Sequence, residues 1–101
     1  MKNPSTPRIR FDHDRREGFV RGREVYFPPK EYALLEALIK SNKAMTREEL
    51  LKEIWGIDAP QDSRTVDQHA ARARARLKQD RDLIATVAGY GYRFDGAKLP
   101  A

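Results

Sequence analysis

Residues 64–79, RTVDQHAARARARLKQ, restrict this chain more than any other stretch. Read at about 100° per residue, Val66, Ala70, Ala73 and Leu77 fall at i, i+4, i+7 and i+11 and form a narrow apolar seam of small residues. Arg64, Gln68, Ala71, Arg72 and Ala75 take the opposite side, with Arg74 and Arg76 on the two flanks. The segment therefore reads as a helix with one thin buried line. Its outer face is arginine, amide and alanine, with no bulky apolar side chain.

Such a face suits the major groove of a DNA duplex. Arginine and glutamine reach base edges or phosphates, and alanines let the helix sink deep. Charge points the same way. Residues 64–81 hold six Lys/Arg against two acids, whereas the other 83 residues hold 14 against 13, so nearly all of the net +5 sits on this helix and its exit. A localised basic patch is the footprint of a polyanionic partner. A merely solvated helix face carries charge in the same way, and charge alone leaves the two readings about even; the flanking elements decide.

With 101 residues the chain fits one small domain with one core. The expected division is a tail or linker remnant over 1–7, a domain over 8–96 and a loose end over 97–101. Cysteine is absent, so disulfides and thiolate metal sites are excluded, which fits a reducing cytosol. No apolar run reaches membrane-spanning length, and MKNPSTPRIRF lacks the apolar core of a signal peptide. The expected location is the cytoplasm, at a bacterial nucleoid.

Ile9 and Phe11 alternate with Arg8, Arg10 and Asp12 as in a strand, and residues 14–17 form a charged turn. Phe19 and Val20, then Val25, Tyr26 and Phe27, read as two more strands joined near Gly22, completing a small antiparallel sheet. Pro28 and Pro29 end it, and Pro29 suits the first turn of a helix carried by Tyr32, Leu34, Leu35, Leu38 and Ile39. Ser41 and Asn42 close that helix. Thr46-Arg47-Glu48-Glu49 is a capping box, followed by a buried face of Leu50, Leu51, Ile54 and Trp55 and a C-cap at Gly56. A loop over 57–62 leads to the arginine helix, capped by Asp62 or Ser63. Residues 83–87 and 92–94 then pair as a hairpin about a tight turn at Gly89, Tyr90 and Gly91. The fold class is α+β: an N-terminal antiparallel sheet, three helices and a C-terminal hairpin, the order of a winged helix-turn-helix.

At this point the chain resembles the OmpR/PhoB-type winged-helix effector domain of bacterial response regulators. The likeness runs from about Ile9 to Phe94 and is carried by PPKEYALLEAL, TREELLKEIWG, RTVDQHAARARARL and IATVAGYGYRF in order. The resemblance implies double-stranded DNA binding in transcription regulation within a two-component system. Arg72 resembles the base-reading arginine, its fork suited to guanine, and Gln68, one turn earlier, is the second candidate, suited to adenine. Arg64, Thr65, His69 and Arg74 resemble phosphate-holding positions, as do Trp55, Thr86 and Tyr92. On the wing, Ala88, Gly89, Tyr90 and Arg93 are the candidates. Implied partners are RNA polymerase, through the 57–62 loop, and a second copy on repeated half-sites.

Plainer roles stand beside these. Trp55 can be core, His69 a satisfied structural histidine, and Thr86 and Tyr92 a cross-strand pair. Arg76 and Arg93 either grip the backbone or solvate their elements. The chain also departs from the family pattern. Ala70 and Ala73 replace larger aliphatics, Ala88 a minor-groove arginine and Ala71 a frequent basic residue, while Pro28 removes a threonine cap. A phosphorylated receiver domain is usual in the family and is not among these residues, which leaves an excised effector domain and a free-standing regulator both open.

Two other function classes compete. A winged helix can serve as a protein-interaction module whose basic face takes an acidic partner. An enzyme is not supported: His13 points away from Asp12 and Asp14 in an alternating strand, Asp67 and His69 do not share a helix face, and no glycine-rich phosphate loop is present. No cofactor and no metal are expected, since no ligands stand at metal-binding spacing.

Overall fold

A computed structural model describes residues 9–12, 14–20, 23–56, 62 and 64–96. The first sheet orders β1 (Ile9–Asp12), β2 (Glu17–Val20) and β3 (Arg23–Tyr26) as two antiparallel pairs, Asp12 facing Glu17 and Glu17 facing Tyr26. Alternation turns Gly18, Val20 and Val25 inward and Phe19, Glu24 and Tyr26 outward. The charged turn is one residue shorter than expected. It spans 14–16, with Arg16 at φ 53°, and Glu17 already belongs to the ladder.

Helix α1 (Pro29–Ser41) starts on Pro29 with no side-chain cap at Pro28, and ends on Asn42 in the left-handed region. Both ends follow the local chemistry expected of them. It is the central helix. Leu34, Leu35 and Leu38 are fully buried, and α1 packs on α2 (Arg47–Trp55), on α3 (Arg64–Leu77) and on the last strand. The capping box of α2 is complete: Glu49 N–H donates to Thr46 Oγ1 at 3.0 Å and Thr46 N–H to Glu49 Oε1 at 2.8 Å. Leu50 and Leu51 form its buried face, but Ile54 and Trp55 are only half-buried, being on the last turn where the helix leaves the core.

The C-terminal sheet differs most from expectation. It has three strands, ordered β4 (Met45–Thr46), β6 (Gly91–Phe94) and β5 (Ile84–Val87). A two-residue strand just before the cap of α2 pairs with β6, Met45 with Tyr92 and Thr46 with Gly91. Gly91 is consequently a strand residue and not part of the turn, which spans 88–90. Its missing side chain has a packing reason: a Cβ there would overlap the Met45 carbonyl and lie 2.9 Å from the Thr46 Cα. Leu83, expected in the strand, closes instead a 3₁₀ segment (Lys78–Leu83) between α3 and β5. Among the described residues, no helix is long and apolar enough to cross a membrane.

Candidate nucleic-acid interface

Helix α3 divides as its periodicity requires. Val66, Ala70, Ala73 and Leu77 are fully buried, whereas Arg64, Gln68, Ala71, Arg72 and Ala75 are exposed. Alanine at 70 and 73 leaves no bulk between α3 and α1, and the two helices pack directly. Both ends of α3 are held. At the start, Asp62 Oδ1 accepts the Arg64 backbone N–H at 2.9 Å and Asp62 O accepts Thr65 N–H at 3.1 Å, while Ser63 lies outside the described residues. At the exit, Arg23 of β3 donates to Leu77 O at 2.9 Å and Arg76 O at 3.4 Å. A cation on the last carbonyls of α3 suits the negative end of the helix.

The basic residues of α3 are not all alike. Arg64 returns to Asp62, with Nε 2.9 Å from Oδ2, and that contact holds the Asp62 carboxyl below its ordinary value. Arg76 is not merely solvated: Nε donates at 2.6 Å to Glu31 Oε1, a carboxylate only 5% exposed in the first turn of α1. Arg74 is turned to the hairpin, where Nε donates to Ile84 O at 2.8 Å and a terminal nitrogen to Thr86 Oγ1 at 2.6 Å. Arg72 makes no hydrogen bond or ion pair among the described residues and is exposed.

A compact network lies between α2, α3 and β6. Asp67 Oδ1 accepts from Arg47 Nε at 2.8 Å and from the Tyr92 hydroxyl at 2.6 Å. The Tyr92 ring has the guanidinium carbons of Arg47 and Arg74 at 5.4 and 5.3 Å from its centroid, within cation–π range. Tyr92 is buried and also faces Thr86 across the hairpin, so the cross-strand role weighed for it is present. Sequence reading missed Asp67 and Arg47. One signal was available: Asp67 and Arg74 stand seven apart, on the same side of the helix two turns up, with opposite charges.

Burial alone raises the Asp67 carboxyl, yet the Tyr92 hydroxyl and the Arg47 and Arg74 guanidiniums outweigh it and hold the group below its ordinary value. Burial and the same carboxylate push the Tyr92 hydroxyl up. A carboxyl depressed in the folded state stabilises fully above its unfolded value, about 3.9, and loses that contribution as pH falls through the folded value. The urea midpoint of the wild type should therefore exceed that of Asp67→Asn by a constant margin from about pH 5 to 7, closing below about pH 4. Because the Asp67 side chain is 40% exposed, screening keeps this pH-dependent part under about 1 kcal/mol. A margin that widened on acidification would contradict the assignment.

Around the helix start, His69 Nδ1 lies 2.8 Å from Thr65 O and its ring meets Trp55 edge-on at 5.0 Å, with Lys30 Nζ 5.7 Å from the Trp55 ring. A carbonyl only accepts, so Nδ1 carries the proton. Trp55 and His69 are thus half-buried partners, and the structural role of His69 is occupied. On the hairpin turn, Gly89 takes φ 71°, Tyr90 N–H donates to Val87 O at 2.9 Å, and the Tyr90 side chain is 47% exposed. Ala88 and Arg93 are exposed, Arg93 lying 3.4 Å from Asp95. Arg74, Arg81, Thr86 and Arg93 help line an open groove of about 500 Å³ beside the hairpin.

A family model described as "Transcriptional regulatory protein, C terminal" matches residues 22–94. The chain is 40% identical over 92 residues to the transcriptional regulatory protein SrrA of Staphylococcus aureus (strain NCTC 8325 / PS 47), an overlap of 86% of this chain and 38% of SrrA. It thus spans under two-fifths of that relative's length. Among solved structures it is similar to the DNA-binding domain of Bacillus subtilis CssR, with TM-score 0.74, 29% identity, and 86% of this chain and 99% of that one covered. DrrB, a Thermotoga maritima OmpR/PhoB homolog, matches with TM-score 0.75, 30% identity and coverage of 89% and 42%. The DNA-binding domain of the response regulator AdeR, solved in complex with an intercistronic region, matches with TM-score 0.74, 26% identity and coverage of 87% and 94%. The family is one of DNA-binding regulators and not of enzymes. With helix order, hairpin and the matched 22–94 segment in agreement, the chain belongs to the OmpR/PhoB-type winged-helix domains that form the C-terminal part of transcriptional regulatory proteins.

Proposed function

We propose that this domain binds duplex DNA sequence-specifically in transcription regulation, with α3 in the major groove and the β5–β6 hairpin on adjacent backbone or minor groove. The state of Arg72 carries the reading. Of the four arginines of α3, three are engaged within the fold, while Arg72 stands exposed between Gln68 and Ala75 with no partner among the described residues. An unpaired guanidinium with exposed alanines at 71 and 75 beside it suits a guanine edge, and Gln68 suits adenine.

Around these readers, Arg64, Thr65, His69, Trp55 and Thr86 take phosphates. Thr86 has particular support: its oxygen accepts from Arg74, which leaves its hydroxyl proton to donate outward. Arg74 keeps donors beyond the two it uses and joins the set at the hairpin base. Arg76 and Tyr92, held by Glu31 and Asp67, are assigned to holding the domain together. Ala88, Gly89, Tyr90 and Arg93 face the flanking DNA, with Tyr90 standing in for the absent arginine at 88. A second copy on half-sites about one helical turn apart, contact with RNA polymerase through 57–62 and a cytoplasmic location complete the reading. Of that loop only Asp62 falls among the described residues.

If about four to six phosphates are neutralised, the logarithm of the binding constant falls with the logarithm of salt at a slope near −4 to −5. A salt titration on a site selected from a random duplex pool measures this. A slope near zero, or a pool that yields no enriched sequence, would remove the proposal.

A further inference from the structure

We infer that Asp67 is a positioning residue for DNA recognition, setting the hairpin's place relative to α3 without itself touching DNA. The inference rests on the DNA-binding reading above. One oxygen, Asp67 Oδ1, receives both the first residue of α2, through Arg47, and the central strand of the C-terminal sheet, through Tyr92. Two turns along the same side of α3, Arg74 reaches the outer strand at Ile84 O and Thr86 Oγ1. The hairpin is thus strapped to α3 at two points of opposite charge, with the Tyr92 ring near both cations that flank it.

The straps lie on the side of α3 between the buried seam and the exposed readers Gln68 and Arg72, so they fix the spacing between major-groove readout and hairpin contact. Directional bonds to a carboxylate do this better than apolar packing, since they tolerate little change of angle. Asparagine at 67 retains shape and one acceptor but loses the charge that holds Arg47.

The test uses the domain with Asp67→Asn and Tyr92→Phe, each alone and combined with Tyr90→Ala at the hairpin tip. Two readouts are taken: affinity for a selected duplex against a scrambled one, and amide hydrogen exchange over 84–94 and over α1. We expect Asp67→Asn to weaken the selected site about tenfold while scrambled DNA changes less than about twofold, within the range seen for coupled neighbours. The cost of Tyr90→Ala in the wild type should vanish in the Asp67→Asn background. Hairpin amides should exchange faster in both strap variants at unchanged protection of α1. Unchanged selected-site affinity with an additive Tyr90→Ala effect, or unchanged hairpin exchange, would overturn the inference. If Asp67→Asn fails to fold, Tyr92→Phe, which removes only the hydroxyl, decides on the same readouts. Should the wild type select no DNA, the functional reading fails, and faster hairpin exchange in the variants still supports the strap while unchanged exchange rejects it.

Discussion

Arg72→Ala should flatten the preference of the domain for its selected site while leaving general DNA affinity largely in place. A bidentate arginine on guanine carries about 1–3 kcal/mol of discrimination, or roughly 5- to 150-fold against the wrong base pair. Loss of a phosphate ligand acts differently, lowering affinity for all sequences alike and reducing the salt slope by about one. Arg72 makes no internal bond among the described residues, so its removal strands no buried partner, and the thermal midpoint should shift by no more than a surface substitution does. Competition between selected and single-base-altered duplexes measures the effect. Preference that survives at every position of the site would take base reading away from Arg72.

Gly91→Ala should be the most damaging single methyl in the C-terminal sheet. The added carbon meets backbone on the facing strand, at Met45 and Thr46, and backbone cannot rotate away as a flexible side chain can. Overpacking of this kind costs about 1–3 kcal/mol or more. For a domain of this size each kcal/mol moves the midpoint by about 4–8 °C, so a fall of roughly 4–24 °C is expected by circular dichroism. Gly89→Ala is the informative comparison. Nothing lies within 4 Å of a Cβ there, and only its φ of 71° opposes the change, at about 1 kcal/mol or slightly above. If the two variants melt together, the close approach of β4 to β6 is not what requires glycine at 91.

The difference between these glycines shows where sequence reading reached and where it stopped. Gly89 is legible because a positive φ at a hairpin turn is a local demand, as are the capping box at Thr46, the left-handed Asn42 and Pro29 at a helix start. The buried seam of α3 was legible for a related reason: a 3.6 period repeats over four positions, all fully buried. Gly91 answers to a strand far away in sequence, and β4 has only two residues, too few to show an alternation. The partners of the arginines were equally hidden. Arg47 and Asp67 are 20 residues apart, Tyr92 and Asp67 25, Arg76 and Glu31 45. Sequence alone therefore showed which arginines face outward but not which have partners: among the described residues Arg72 has none, whereas Arg64, Arg74 and Arg76 each have at least one. Charge counting sees totals, and only the packed chain reveals which charges already have company.

The clasp at each end of α3, Asp62 before it and Arg23 after it, has a consequence for association. The first turn is closed by its own cap and the last is tied to β3, so both ends have partners before any groove is met. Less of the contact energy is then consumed in ordering these end turns.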